Sequence, residues 1–207
     1  MAFADYKEIS AILKKFQIRY EESDFITAAE MPISQAFLDD FNFVRDHIDT
    51  RVSEYSICES IIYPILKEAY KKYADSFALW SHRPITYNTE LTGTPDYLLA
   101  TRSELGKVVL GHPLLMLVEA KKNNFEEGWG QCLAEMVMAQ KINDDPLFPI
   151  YGIVSDGDVW QFGKLLDRNF TENRTFYTVI DLQRLFGALD FVLNHLHQEL
   201  TARRPQR

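Results

Sequence analysis

Three residue types stand where they could do chemistry together: Asp96, Glu119 and Lys121. Glu119-Ala120-Lys121 closes the apolar run Leu114-Leu115-Met116-Leu117-Val118. An uninterrupted run of this kind reads as a strand buried on both faces, inside a sheet covered by helices. Side chains alternate along a strand, so Glu119 and Lys121 project to one side, above Leu115 and Leu117. Charges at the rim of a core are costly unless paired or bound to a cation. Asp96 follows Pro95 at the head of another extended stretch. If the two strands are antiparallel neighbours joined by 102–113, Asp96 and Glu119 meet at one end of the sheet. Carboxylates held that close share a proton or bind a divalent cation. Magnesium takes one or two carboxylates plus waters and phosphate oxygens, and the Ala120 carbonyl adds a donor. A neighbouring lysine can orient a nucleophile and offset charge developing at phosphorus. These are the parts required for metal-dependent phosphodiester hydrolysis. Taken singly, each residue has a plainer role: Glu119 and Lys121 as a strand-end ion pair, Asp96 as a turn residue.

The elements that must position these groups follow from the apolar spacing. Ile9, Ile12, Leu13, Phe16 and Tyr20 make one helical stripe over 4–22. A second helix is expected over 34–49, capped by Ser34. A third, over 53–73, carries a broad apolar arc from Ile57 to Tyr70. Glu59 falls on the edge of that arc, and an acid there is either part of a metal shell or a helix-start residue favoured by the dipole. Glu54, at the helix start, fits the second description. Extended stretches follow from Phe77, over 85–90, over 93–100 and over 114–121. A fourth helix covers 125–142. The run 150–155, the Asp156-Gly157 turn and the run 159–164 read as a hairpin. A last amphipathic helix covers 181–202, ahead of a basic tail. With no repeat and no long linker, the chain reads as one α/β domain: a helical cover over 1–52, a core over 53–164, and a terminal helix and tail over 165–207.

Pro95-Asp96 followed by Glu119-Ala120-Lys121, in that order of elements, resembles the PD-(D/E)XK nuclease superfamily. The segment Gly152 to Phe162 is similar to strands in the N-terminal nuclease domains of type I restriction R subunits and their stand-alone relatives. The resemblance implies a restriction-endonuclease-like core: helix, three-strand meander, helix and two further strands, spanning roughly 53–164. It implies Asp96 and Glu119 as ligands of Mg²⁺ or Mn²⁺, and Lys121 as the catalytic assistant. It also implies an acid on the first core helix, Glu59 with Glu54 as fallback. In some branches the helix after the lysine strand carries a glutamine, for which Gln131 is the counterpart here. Gln131 lies nearly opposite the stripe Trp129, Cys132, Leu133, Met136 and Val137, so it either faces the site or stands exposed.

Composition limits the partner. The chain has 207 residues, 46% apolar and 25% charged, with a net charge of −8. That is an ordinary globular composition, without the basic surface of a nonspecific nucleic-acid binder. A DNA substrate would therefore need a local patch, a metal-bridged contact, or a second copy or partner subunit. The alternative is a nuclease-fold module that binds or regulates without cutting. No apolar run is long enough to span a membrane, and the start lacks a signal-peptide pattern. Cys58 and Cys132, both in apolar helical contexts, read as free thiols in a reducing compartment, the cytoplasm.

Overall fold

The computed structural model describes residues 6–27 and 29–203. In chain order the elements are α1 (Ile9–Phe16), β1 (Arg19–Ser23), α2 (Gln35–His47), α3 (Glu54–Ile57), a π-helical turn (Cys58–Ile62) and α4 (Tyr63–Tyr70). Then come β2 (Phe77–Ser81), β3 (Ile85–Thr86), β4 (Thr92–Gly93), β5 (Tyr97–Arg102), β6 (Leu110–Ala120) and α5 (Phe125–Asn143). The chain closes with β7 (Ile150–Ser155), β8 (Val159–Leu166), β9 (Asn169–Asn173), β10 (Tyr177–Thr178) and α6 (Leu182–Arg203). The result is an α/β architecture around one mixed sheet, ordered β1-β9-β8-β7-β6-β5-β2, with β10 beside β8.

β6 is an interior strand of that sheet. It pairs antiparallel with β5 and parallel with β7. A parallel pair needs a long crossover, and α5 supplies it. Leu114 to Val118 are all buried, as an all-apolar run between two neighbours and two helical layers requires. On one face the Cys132 thiol of α5 approaches the Leu117 and Ile153 carbonyls, at 3.9 and 3.8 Å. On the other, Tyr151 of β7 meets His195 of α6, hydroxyl to Nδ1 3.2 Å. α5 is itself covered on its far side by the N-terminal segment. A Cβ on Gly130 would stand 2.7 Å from the Tyr6 carbonyl oxygen, so only glycine fits that approach. Asn124 starts α5 by accepting from Glu127 N–H at 3.2 Å, and a left-handed Asp144 ends it.

Several expectations change. The N-terminal helix is shorter than 4–22; Ala4 and Asp5 lie outside the described residues. Gln17 turns left-handed at φ 55°, ending α1, and Arg19–Ser23 becomes a strand parallel to β9. Tyr20 is thus not part of a helical stripe; its hydroxyl lies 2.8 Å from both Glu22 and Glu172. The meander is β2-β5-β6, because Ile85–Thr86 leaves the sheet to pair with Thr92–Gly93. β9 and β10 were not anticipated in the polar stretch before α6. Arg203 is not loose: it pairs with Asp145 and Glu199 and donates to the Leu147 carbonyl. Residues 204–207 of the tail lie outside the described ones. Both cysteines are buried free thiols. No helix among the described residues is long and apolar enough to cross a membrane.

Candidate functional site at the end of the central strand

The β5–β6 register brings the first two acids together. Tyr97 pairs with Val118, so one step further Asp96 stands across from Glu119. Asp96 Oδ2 accepts the Ala120 N–H at 2.7 Å, which fixes its carboxylate against the strand that carries Glu119. The β2–β5 pairing continues one step past its last residues, where His82 N–H donates to the Asp96 carbonyl at 2.9 Å. That contact sets the His82 ring beside the acid, Nε2 3.4 Å from Oδ1. His82 has no metal-like spacing in the sequence, and only the sheet reveals its position.

Lys121 is held from below by the parallel ladder, its N–H donating to the Ser155 carbonyl at 2.9 Å. Its ammonium lies 3.6 Å from Glu119 Oε1 and 3.9 Å from Glu54 Oε2. The side chains of Lys121 and Glu119 are 13% and 10% exposed, so neither charge is well hydrated. Gly128 makes room for the lysine stem: a Cβ there would meet Lys121 Cγ at 3.0 Å and Val154 Cγ1 at 2.5 Å.

The helix acid at the site is Glu54, not Glu59. Ser53 caps α3 by accepting from Ser56 N–H, and Glu54 in the first turn reaches both Lys121 and the Lys122 N–H, the latter at 3.2 Å. Glu59 lies in the π-helical turn, exposed, and forms no ion pair among the described residues. The π turn over Cys58–Ile62 breaks the 3.6-residue spacing that aligned Glu59 with the apolar residues following it. Gln131 is buried, not exposed, and its Oε1 has no hydrogen-bond partner.

One acid escaped the sequence reading. Glu135, one turn beyond Gln131, is 1% exposed with Oε2 unpartnered. Its carboxyl is held well above the usual range by burial, then by the charges of Glu119 and Asp96. α5 is apolar around its whole circumference, so no moment marks which side meets the site. The i, i+4 spacing of Gln131 and Glu135 was the available signal, since two polar residues a turn apart in so apolar a helix share a face.

The electrostatics follow from four carboxylates around one lysine. Burial, and then the charge of Asp96, pushes Glu119 up to about 8, with Lys121 pulling it back. Asp96 is raised by burial, against the pull of the Ala120 N–H, His82 and Lys121. Burial, and then Asp96, pushes the Cys58 thiol up to about 12, so it is no nucleophile. Among the described residues no three Asp, Glu, His or Cys side chains converge on a point able to hold an ion. The donors that do meet are Asp96 and Glu119, with Ala120 between Glu119 and Lys121 in the same strand end. A cavity of about 450 Å³ opens at the other end of β6, lined by His112, Pro113, Asn143, Phe148 and Leu200, with Asp145 and Arg203 paired in its wall. Its charged pair, Asp145 and Arg203, is mutually neutralised.

No protein-family model matches this chain, and no curated protein sequence matches it.

Proposed function

We propose that the chain is a Mg²⁺- or Mn²⁺-dependent nuclease of the PD-(D/E)XK type, hydrolysing phosphodiester bonds in DNA. The observation that carries this reading is the meeting of Asp96, Glu119 and Lys121 at the end of β6, with Asp96 locked onto Ala120 N–H. The order of elements agrees with a restriction-endonuclease-like core: α3 to α4, the β2-β5-β6 meander, α5, then β7 and β8. Two carboxylates and the Ala120 carbonyl suit magnesium, which keeps several waters and needs no all-protein cage. The raised Glu119 and the unpartnered oxygens of Gln131 and Glu135 support this reading, since carboxyl groups buried this close share a proton or bind a cation.

The roles of the residues follow from their placement. Asp96 and Glu119 would hold the ion, which when bound polarises a phosphoryl oxygen and acidifies water. Lys121, between Glu119 and Glu54, donates to an attacking water and offsets charge building on the phosphate. The water oxygen bonds to phosphorus and gives up a proton to solvent as the bridging P–O bond breaks, and the leaving oxygen takes a proton from solvent. Glu135, buried on α5, adds its charge to those of Glu119 and Asp96. Glu54 tethers α3 to the strand end through Lys121 and Lys122.

A second reading, a nuclease-fold module that binds without cutting, draws on one observation: both Asp96 oxygens already have partners, Ala120 N–H and His82. Incubation of plasmid and single-stranded DNA with the full chain and Mg²⁺ or Mn²⁺ separates the two. The nuclease reading expects metal-dependent cleavage that Lys121→Ala and Asp96→Asn each reduce. Equal rates in wild type and Lys121→Ala would point to a contaminant and sink the mechanism. Binding without any cleavage would favour the module.

A further inference from the structure

The helix facing the site contains one residue more than an α-helix allows. In the Cys58–Ile62 turn, Tyr63 N–H donates to the carbonyl of Cys58, five residues back. The buried Tyr97 hydroxyl donates to the same carbonyl at 2.9 Å, pinning the turn to β5. The extra residue changes which side chains line up. Tyr55 and Tyr63, eight apart, would diverge by roughly 80° on a regular α-helix. With one residue absorbed by the π turn they stand as residues seven apart do, within about 20° of one another.

Both rings therefore point the same way and bracket a second pair. The Tyr55 ring lies 6.1 Å from His82, tilted by 30°. His82 lies 6.0 Å from Tyr97, nearly edge-on at 65°. Tyr97 lies 6.0 Å from Tyr63, stacked at 20°. The outer two rings are open to solvent, Tyr55 by 70% and Tyr63 by 38%. Neither of their hydroxyls has a hydrogen-bond partner among the described residues. Lys67 hangs over Tyr63 with its ammonium 5.7 Å from the ring centre. The row runs into the carboxylates, since His82 touches Asp96 and Glu54 beside Tyr55 touches Lys121.

We propose that this row is a stacking platform for unpaired nucleobases, so that the substrate is single-stranded nucleic acid or a single-stranded end. Duplex binding without sequence preference relies on neutralising phosphates, and a chain of net charge −8 is poorly equipped for it. Stacking on aromatic faces contributes about 1–3 kcal/mol per base, and duplex bases are not free to use it. The site of cleavage relative to the platform rests on the nuclease reading; the binding preference does not.

The test is fluorescence anisotropy of the full chain with end-labelled oligothymidylate, oligouridylate and a duplex of equal length, beside metal-dependent cleavage of the same three. Single strands should bind at least tenfold tighter than duplex. Tyr55→Ala should weaken that binding by about tenfold, within the range that one stacked base spans. Tyr55→Phe should restore it, as a ring without the hydroxyl still stacks. Duplex binding as tight as either single strand, or unchanged affinity in both Tyr55→Ala and Tyr63→Ala, would overturn the platform. Binding preference retained without cleavage would sink the nuclease reading and leave the platform standing. Duplex cleavage at full rate by Tyr55→Ala would do the reverse.

Discussion

The two ends of β6 solve the same problem in opposite ways. Toward its start, beneath the last turn of α5, no buried side-chain nitrogen or oxygen among the described residues lacks a partner. The Asn143 side chain donates to Leu114 C=O and accepts from Leu114 N–H, both at 2.7 Å. Asp145 pairs with Arg203, which also donates to Leu147. At its finish, beneath the first half of the same helix, Gln131 Oε1 and Glu135 Oε2 have no partner and Glu119 is pushed up to about 8. One strand and one helix frame both ends, so the contrast reflects what each end is for. The first end is built to stay closed. The second keeps unpartnered carboxyl and amide oxygens, the groups that an incoming cation would satisfy.

Substitutions can break this contrast. The largest effect is expected at the open end. Lys121→Ala should cut metal-dependent cleavage by about 100-fold or more, the scale of one lost proton-transfer or charge-stabilising group. Its melting temperature should fall as well, because Glu119 and Glu54 lose their cation, so the cleavage rates are compared per folded molecule. At the closed end stability alone should fall. Asn143→Ala leaves a strand N–H and C=O without partners at a cost of about 2 kcal/mol, a loss of several degrees in melting, with cleavage per folded molecule unchanged. Gly128→Ala tests the join between fold and site. Its methyl presses on Lys121 and Val154, so both stability, by about 1 kcal/mol, and cleavage should fall.

A pH series without metal sharpens the comparison. Glu119 has a folded value raised above its ordinary 4.5, so protonated Glu119 favours the folded state. The stability it supports is complete below about pH 4.5 and is lost as pH rises toward 8. Metal-free wild type should therefore melt at falling temperature over that interval, and Glu119→Gln should flatten the slope. The smallest effect belongs to Glu135→Gln. Removing a buried acid that repels Glu119 and Asp96 should leave the melting temperature equal or slightly higher, while cleavage declines.

The difference between the ends also explains what could be read from the residues alone. The strand 114–121 and the meeting of Asp96 with Glu119 and Lys121 were legible, because period-two alternation and antiparallel pairing are local rules. The choice between Glu54 and Glu59 was not, since a π turn is invisible to a 3.6-residue count. His82 was hidden because its approach to Asp96 depends on β2 pairing with β5 across a detour that includes β3 and β4. β1 was hidden for the same kind of reason: its partner β9 lies about 150 positions away, and its five residues are all exposed. Glu135 was missed because α5, buried between sheet and N-terminal segment, shows no apolar side to measure its polar side against. Local patterns located the strand; long-range pairing and one irregular turn decided which groups surround its end.

The claim that the open end of β6 is a cation site is tested most directly by melting the full chain during Mg²⁺ titration near neutral pH. A ligand that binds only the folded state raises the melting temperature with its concentration. The account predicts a saturable rise in wild type that is absent in both Asp96→Asn and Glu119→Gln and unchanged in Asn143→Ala. No rise in wild type with either Mg²⁺ or Mn²⁺, or the same rise in Asp96→Asn and Glu119→Gln, would contradict it.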